Sequence, residues 1–336
     1  MKIDSDCVCN KTMRLMTSPA LISFRNGTPK GYCAITQVGE KNLDTGIELA
    51  SLKLAPGQIY TETSVLEAAW VLMSGSVRCS YKHLGNAGNW NAERKSLFDE
   101  TASALHLPPR AEVTFEAGQT PIELVVAKTR NDRKFSPKIF SPHEIPTEFR
   151  GAGLAQDTCL REVRQIFDRK LRPESNLVLG EVVNYPGKWS SYPPHHHQQP
   201  EIYHYRFTEV QGYGHAELGE EVIKIKNYDT VKISGGLDHS QVSAPGYGMY
   251  YLWVIRHLPD HPYNGFEFTE EHKWILDSKN QGWIPRREAF EKNWRPEPAL
   301  RAEPALRAET VLKSEPALKS EPALRSEPAL RTEKIK

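Results

Sequence analysis

Residues 186–207 read PGKWSSYPPHHHQQPEIYHYRF, and this stretch decides the fold. A Pro-Gly turn opens it, and EIYHYRF closes it with the β-branched and aromatic residues that suit a pleated strand. Between them, His195-x-His197-x3-Glu201 sets two imidazoles two residues apart, hence on one side of an extended chain, with a carboxylate following. Residues 55–75, APGQIYTETSVLEAAWVLMSG, repeat the outline: a Pro-Gly turn, a polar stretch, a glutamate, then an apolar strand. The two halves read as copies of one barrel, one chemically bare and the other rich in histidine.

Outward from these stretches the pattern is short β runs broken by Pro-Gly, Ser-Gly and Gly-Gly. The runs are Ile47–Leu54, Ala69–Leu72, Val77–Tyr81, Glu123–Ala127, Leu177–Val183, Ile202–Phe207, Val222–Ile225, Thr230–Ile233 and Met249–Ile255. Close spacing of this kind predicts an all-β sandwich or barrel. Helical periodicity is sparse, and its best candidate is Leu160–Asp168.

His195, His196, His197, His204 and His239 fall within one 45-residue stretch. If the strand after His197 pairs with one carrying His239, then His195, His197, Glu201 and His239 converge as three nitrogens and one oxygen. Such a set, with positions left for water or substrate, suits a catalytic Zn, Mn, Fe or Ni ion. His196 points the other way and is the least suited of the three adjacent histidines. A solvated loop around Pro193, Pro194, Gln198 and Gln199 is the plainer alternative, and Ser234-x-Gly236-x2-His239 downstream weighs against it. In the first half, residues 61–75 offer Glu62 and Glu67, with His83 isolated, so that half is expected to be metal-free.

The 336 residues suffice for about two domains at roughly 100–200 residues each. A net charge of +1 gives no basic excess for nucleic acid. The longest apolar run, Met249–Ile255, is far short of the roughly 20 residues of a membrane helix, and the N-terminus has no signal-like apolar core, so the expected location is the cytoplasm. Five scattered cysteines do not make a disulfide framework, and Cys7-x-Cys9 lacks a second ligand pair. From Glu297 the chain becomes six neutral hexads of the EPALRA kind, five with a proline that excludes one long helix, and disorder is expected. The tail's partner stays unknown, and a homo-oligomer stays open.

The histidine motif and Ser234-x-Gly236-x2-His239 resemble the two cupin motifs, with serine where the second usually has proline. More closely, Pro186-Gly-Lys-Trp-Ser-Ser-Tyr-Pro-Pro-His195 is similar to bacterial 5-deoxy-glucuronate isomerases of myo-inositol catabolism, as are Arg150-Gly-Ala-Gly, Arg161-x-Val-Arg164, Glu201-Ile-Tyr-x-Tyr-Arg206 and Ala244-Pro-Gly-Tyr-x-x-Tyr-Tyr251. The resemblance covers about residues 20–275. It implies a bicupin: an N-terminal tail (1–19), a metal-free cupin-like barrel (20–145), a metal-binding cupin barrel (146–292) and the hexad tail (293–336). His196-His197-Gln198 stands where that family usually has Lys-His-Asp, and Trp253 where it has a small residue.

The implied activity converts 5-deoxy-D-glucuronate to 5-dehydro-2-deoxy-D-gluconate, using a divalent metal, Zn foremost with Mn, Fe and Ni as alternatives. With Glu201 a ligand, the proton carrier must be another group, and Tyr203, Tyr205, His204 and Glu181 are the candidates. Alternation puts Tyr203 and Tyr205 inside with Glu201, and His204 outside. The uronate carboxylate needs a cation: Arg206, Arg164 and Lys188 are the principal candidates, with Arg161 and Arg150 beside them, and Arg206 is equally able to brace the barrel. Alternatives are the isomerase of 4-deoxy-L-threo-5-hexosulose uronate, an iron cupin dioxygenase and a non-catalytic sugar-acid binder.

Overall fold

The computed structural model describes residues 18–283 apart from 278 and 281; the expectations for Cys7, Cys9 and the hexad tail lie outside these residues. The described chain is two antiparallel β-barrels in sequence. In the first, Glu67–His83 is one 17-residue strand that belongs to both walls. Its first part pairs with Ala104–Leu107 and Ile122–Thr129, its second with Asn86–Arg94 and Glu112–Ala117. The turn from one wall to the other falls at Gly75, where a Cβ would lie 2.2 Å from the Pro121 carbonyl oxygen at φ +87°, so no other residue fits without backbone movement.

The second barrel's inner wall runs in the order Leu21–Ser23, Asp229–Ile233, Glu201–Phe207, Met249–Arg256, Leu177–Asn184, Arg161–Phe167, Thr147–Arg150. Its opposing wall runs Glu221–Lys226, Tyr213–Leu218, His239–Ser243, Trp189–His196, Glu267–Phe268. Leu21–Ser23 lies by sequence in the first barrel's expected span, yet it forms the edge of the second barrel's sheet, pairing with Asp229–Val231.

Strand alternation sorts the core into three layers. Leu52, Trp70, Leu72, Trp90 and Phe115 fill the first barrel. Tyr203, Tyr205, Phe207, Val231, Ile233 and Tyr251 face into the second. Between the barrels, Leu49, Val71, Val125 and Ala127 of one sheet pack on Leu177, Leu179, Ile202 and Val254 of the other. At roughly 1.5–3 kcal/mol for each large apolar side chain buried, this middle layer joins the barrels firmly. His204 points out of its own barrel, as alternation demands, but is fully buried because the first barrel covers that face.

Arg161–Phe167 is a strand, not the helix that periodicity suggested for Leu160–Asp168. A bulge between Gln165 and Phe167 breaks the alternation, so Val163, Ile166 and Phe167 are buried at spacings that mimic a helical face. Among the described residues, no helix is long and apolar enough to cross a membrane. Cys79 and Cys159 are free thiols.

Candidate metal centre

His195 ends the strand Trp189–His196 and sits opposite His239, the first residue of His239–Ser243. Glu201 begins the neighbouring wall's strand Glu201–Phe207, with His197 in the turn before it. The ligand atoms of His197, Glu201 and His239 all lie within 4.8 Å of one another, and all three side chains are buried. His195 stands beside them, its ring edge-on to His239 at 4.6 Å and against Phe266 at 4.1 Å, outside the tight trio but in the same cavity. His196 turns away and meets Asp238 at 2.7 Å.

The hydrogen bonds show that this cluster suits a cation. His239 Nδ1 lies 3.0 Å from the Leu237 carbonyl, which can only accept, so Nδ1 carries a proton. Its Nε2 then faces Glu201 Oε2 at 3.3 Å, where the carboxylate favours positive charge. His197 Nε2 is 3.2 Å from the same oxygen, and its Nδ1 is buried without a partner. A donated Nδ1–H that leaves Nε2 facing the site, as in His239, is how metal-binding histidines are commonly oriented. Burial raises the Glu201 carboxyl, but hydrogen bonds and charge from His197 and His239 overcome it and bring it to about 2. Burial lowers His239, and Glu201 more than reverses this. Burial, with His239 adjacent, holds His195 well below the usual range, so its imidazole is neutral. An ionised carboxylate faced by imidazole nitrogens calls for a positive charge between them.

His195, His197 and Glu201 line a cavity of about 460 Å³. Tyr203 and Tyr251 line it, joined through serines: Tyr251 Oη lies 2.6 Å from Ser190 Oγ, and Ser191 Oγ lies 3.3 Å from both phenols. Burial above all pushes both phenols up, so both stay protonated. The segment after Ile255 borders the cavity and packs Tyr263 on His197 and Phe266 on His195. Three hydrogen bonds hold it: Tyr263 N–H to His257 Nδ1 at 2.9 Å, Gln199 Nε2 to the His261 carbonyl at 2.9 Å, and Arg169 Nη1 to Asn264 Oδ1 at 2.8 Å. Ser190 and Ser191 were legible only as part of the WSSYPP run, with no role attached.

Several sequence candidates lie elsewhere. Tyr205 donates to Gln241 Oε1 at 2.5 Å, deeper in the barrel and off the cavity wall. Glu181 faces the first barrel: alternation points Val178 and Val182 at the cavity and Glu181 away from it, where it accepts from Arg94 at 2.7 and 2.9 Å and from Tyr250 at 2.6 Å. Arg206 pairs with Glu123 of the first barrel at 2.6 Å and donates to His204 Nε2 at 2.7 Å, so it braces the barrels. Arg164 is spent on Glu162 and the carbonyls of Leu97, Phe98 and Glu100, and Lys188 on the Asp157 carbonyl. In the first barrel, Glu62 pairs with Lys128 and Glu67 with His106.

A match to the KduI/IolB family spans residues 22–275. The chain belongs to the KduI/IolB family. With this family it is an isomerase. It is 28% identical over 246 residues to the 5-deoxy-glucuronate isomerase of Geobacillus kaustophilus strain HTA426, covering 67% of this chain and 84% of that one. The enzyme of the same name from Geobacillus thermodenitrificans strain NG80-2 is 27% identical over 253 residues, covering 67% and 85%. Among solved structures, an IolB-like protein from Salmonella typhimurium LT2 superposes with a TM-score of 0.65 at 23% identity, over 74% of this chain and 97% of that one. The oxalate decarboxylase of Lactobacillus farciminis gives a TM-score of 0.57 at 12% identity, over 84% and 97%. These likenesses establish the fold as a duplicated cupin.

Proposed function

We propose that this KduI/IolB family chain is a metal-dependent aldose–ketose isomerase that converts 5-deoxy-D-glucuronate to 5-dehydro-2-deoxy-D-gluconate in myo-inositol degradation, in the cytoplasm. The observation that carries this is the ionised, buried Glu201 carboxylate set between the nitrogens of His197 and His239 at a cavity lined by two protonated phenols. His197, Glu201 and His239 would hold a divalent ion, zinc foremost, with the His195 ring beside His239. A bound ion supplies Lewis acidity toward a substrate oxygen, worth several kcal/mol in the transition state.

The chain's own groups supply the rest. The reaction takes the proton from C2 of the aldose and returns one to C1 while the carbonyl moves from C1 to C2, so the hydroxyl and carbonyl oxygens must exchange a proton as well. Tyr203, kept neutral by burial and ringed by His239 and Tyr251, holds a proton at the oxygen it faces, and Ser191, Tyr251 and Ser190 continue the hydrogen-bond chain along the wall. Tyr263 and Phe266 pack on His197 and His195 at the cavity wall.

Elemental analysis of the purified protein, with anaerobic turnover of 5-deoxy-glucuronate followed by proton NMR in deuterated buffer, tests this. The expected result is one divalent ion per chain, turnover without oxygen, and deuterium at the new hydroxymethyl carbon. Bound metal without turnover of this substrate would redirect the assignment to 4-deoxy-L-threo-5-hexosulose uronate or to oxygen-dependent chemistry, each assayed the same way. Absence of metal would leave a sugar-acid binder.

A further inference from the structure

The cavity wall that carries the phenols also carries an arginine that no carboxylate of the described residues pairs with. Arg161 opens the strand Arg161–Phe167, lines the cavity and makes no ion pair among the described residues. The fully buried arginines all have one: Arg94 with Glu181 at 2.7 Å, Arg164 with Glu162 at 2.9 Å, Arg172 with Glu174 at 3.4 Å and Arg206 with Glu123 at 2.6 Å. Arg161 instead anchors Nη1 on two carbonyls, those of Cys159 at 2.9 Å and Tyr192 at 3.3 Å, which fixes the plane of the guanidinium. Burial weakens its hold on its proton, and neighbouring Arg150 adds to that.

Arg150 makes the arrangement more pointed. Arg150 and Arg161 are direct partners across adjacent antiparallel strands, and both line the cavity. Like charges placed directly opposite are destabilising, so two facing guanidinium groups in one cavity make sense when an anion sits between them. Arg150 has a partner in Glu148 at 2.8 Å, but that pair is largely solvent-exposed and weak. A planar guanidinium with its remaining N–H groups free can take a carboxylate in two parallel hydrogen bonds.

We infer that Arg161, with Arg150 opposite it, is the receptor for the substrate's carboxylate, so that a uronate lies with its acid end at these arginines and its reacting end at His197, Glu201 and His239. This rests on the uronate isomerase reading for the identity of the ligand, and it makes Arg161 the residue that separates a sugar acid from a neutral sugar.

Calorimetric titration of the metal-loaded protein with D-glucuronate and with its methyl ester tests it, because the ester removes the negative charge and adds only one methyl group. The wild type should bind the acid about 10- to 100-fold more tightly than the ester, the scale of a charged hydrogen-bond pair. Arg161→Gln should lose that preference at unchanged metal content and unfolding temperature. Arg161→Lys, which keeps the charge without the planar fork, should retain part of it. With 5-deoxy-glucuronate as substrate, the loss should appear mainly in KM. Arg161→Gln that retains the full preference, or a wild type with none, overturns the assignment. A wild type that prefers the acid but does not isomerise 5-deoxy-glucuronate would refute the proposed reaction and leave the arginine assignment standing.

Discussion

Replacing Glu181 by glutamine separates the architecture of this protein from its chemistry. The Glu181 carboxylate accepts hydrogen bonds from Arg94 Nη1 and Nη2 at 2.7 and 2.9 Å and from Tyr250 Oη at 2.6 Å, and the Arg94 and Glu181 side chains are 1% and 0% exposed. The amide keeps the shape and removes the charge. Arg94 retains its bonds to the Leu72 and Glu100 carbonyls but is left as a buried cation with no counter-charge. Removing one partner of a buried pair costs about 3–5 kcal/mol. For a folded unit of this size, each kcal/mol shifts the midpoint by roughly 2–4 °C, so Tm should fall by roughly 6–20 °C. Thermal unfolding and turnover measured on one preparation are the assay, with metal content and kcat expected unchanged well below the transition. Replacing both partners, as Arg94→Met with Glu181→Leu, should cost less than either single change, because apolar replacements of a buried pair are often near neutral. A Glu181→Gln protein that keeps its Tm while kcat falls about 100-fold would refute the reasoning and return Glu181 to the general acid–base role.

Four further outcomes follow from the geometry. His197→Ala should abolish bound metal and turnover together, whereas His196→Ala, which loses only the contact to Asp238, should keep both; loss of metal from the latter in elemental analysis would reverse the face assignment. Tyr203→Phe should keep the metal and slow turnover by about 10²–10⁴-fold if its proton is used in catalysis, and a smaller effect would make it a packing residue. His106 and His204 are buried with both ring nitrogens engaged as neutral imidazoles, and burial with Arg169 and Arg133 brings His257 to about 4. Their folded values lie below the ordinary value near 6.5, so they contribute stability above that pH that is lost on acidification, for His257 between about 6.5 and about 4; urea midpoints that stay flat over that range in metal-free protein would contradict this. Gly180→Ala places a Cβ 2.4 Å from the Trp253 ring, which lines the cavity, and should cost roughly 1–3 kcal/mol in unfolding experiments while raising KM.

The sequence was most legible where one residue's neighbours decide its environment. Alternation along EIYHYRF assigned Glu201, Tyr203 and Tyr205 to the interior and His204 to the opposite face, because a strand has only two faces to offer. The same rule gave the divergence of His196, whereas His197, past the strand's end, and not His195 joins Glu201 and His239 in the tight trio. It could not say what covers the far face. Glu181, Arg164 and Arg206 look like site residues because charged groups on an outward strand face are expected to meet solvent or substrate. Their partners lie in the first barrel, 87 residues away for Arg94 and 83 for Glu123, and only the packing of sheet on sheet brings them together. Local pattern also failed at Gln165–Phe167, where a bulge imitates helical spacing, and after Ile255, where Tyr263 and Phe266 gain meaning only from the histidines beneath them.

The pairing of Leu21–Ser23 with Asp229–Val231 bears on how the molecule is made. A ribosome releases the first of these strands long before its partner exists, so the N-terminal segment stays unmatched through synthesis of the entire first barrel and most of the second. Without that strand in place, the edge at Asp229–Ile233 has open amide and carbonyl groups, among them the Lys232 N–H that donates to the Ala20 carbonyl. A fragment beginning at residue 146 would carry that edge permanently and be prone to pair with copies of itself. A permutant that begins at residue 146 and carries residues 18–145 after the second barrel would instead deliver the missing strand immediately after the barrel that needs it.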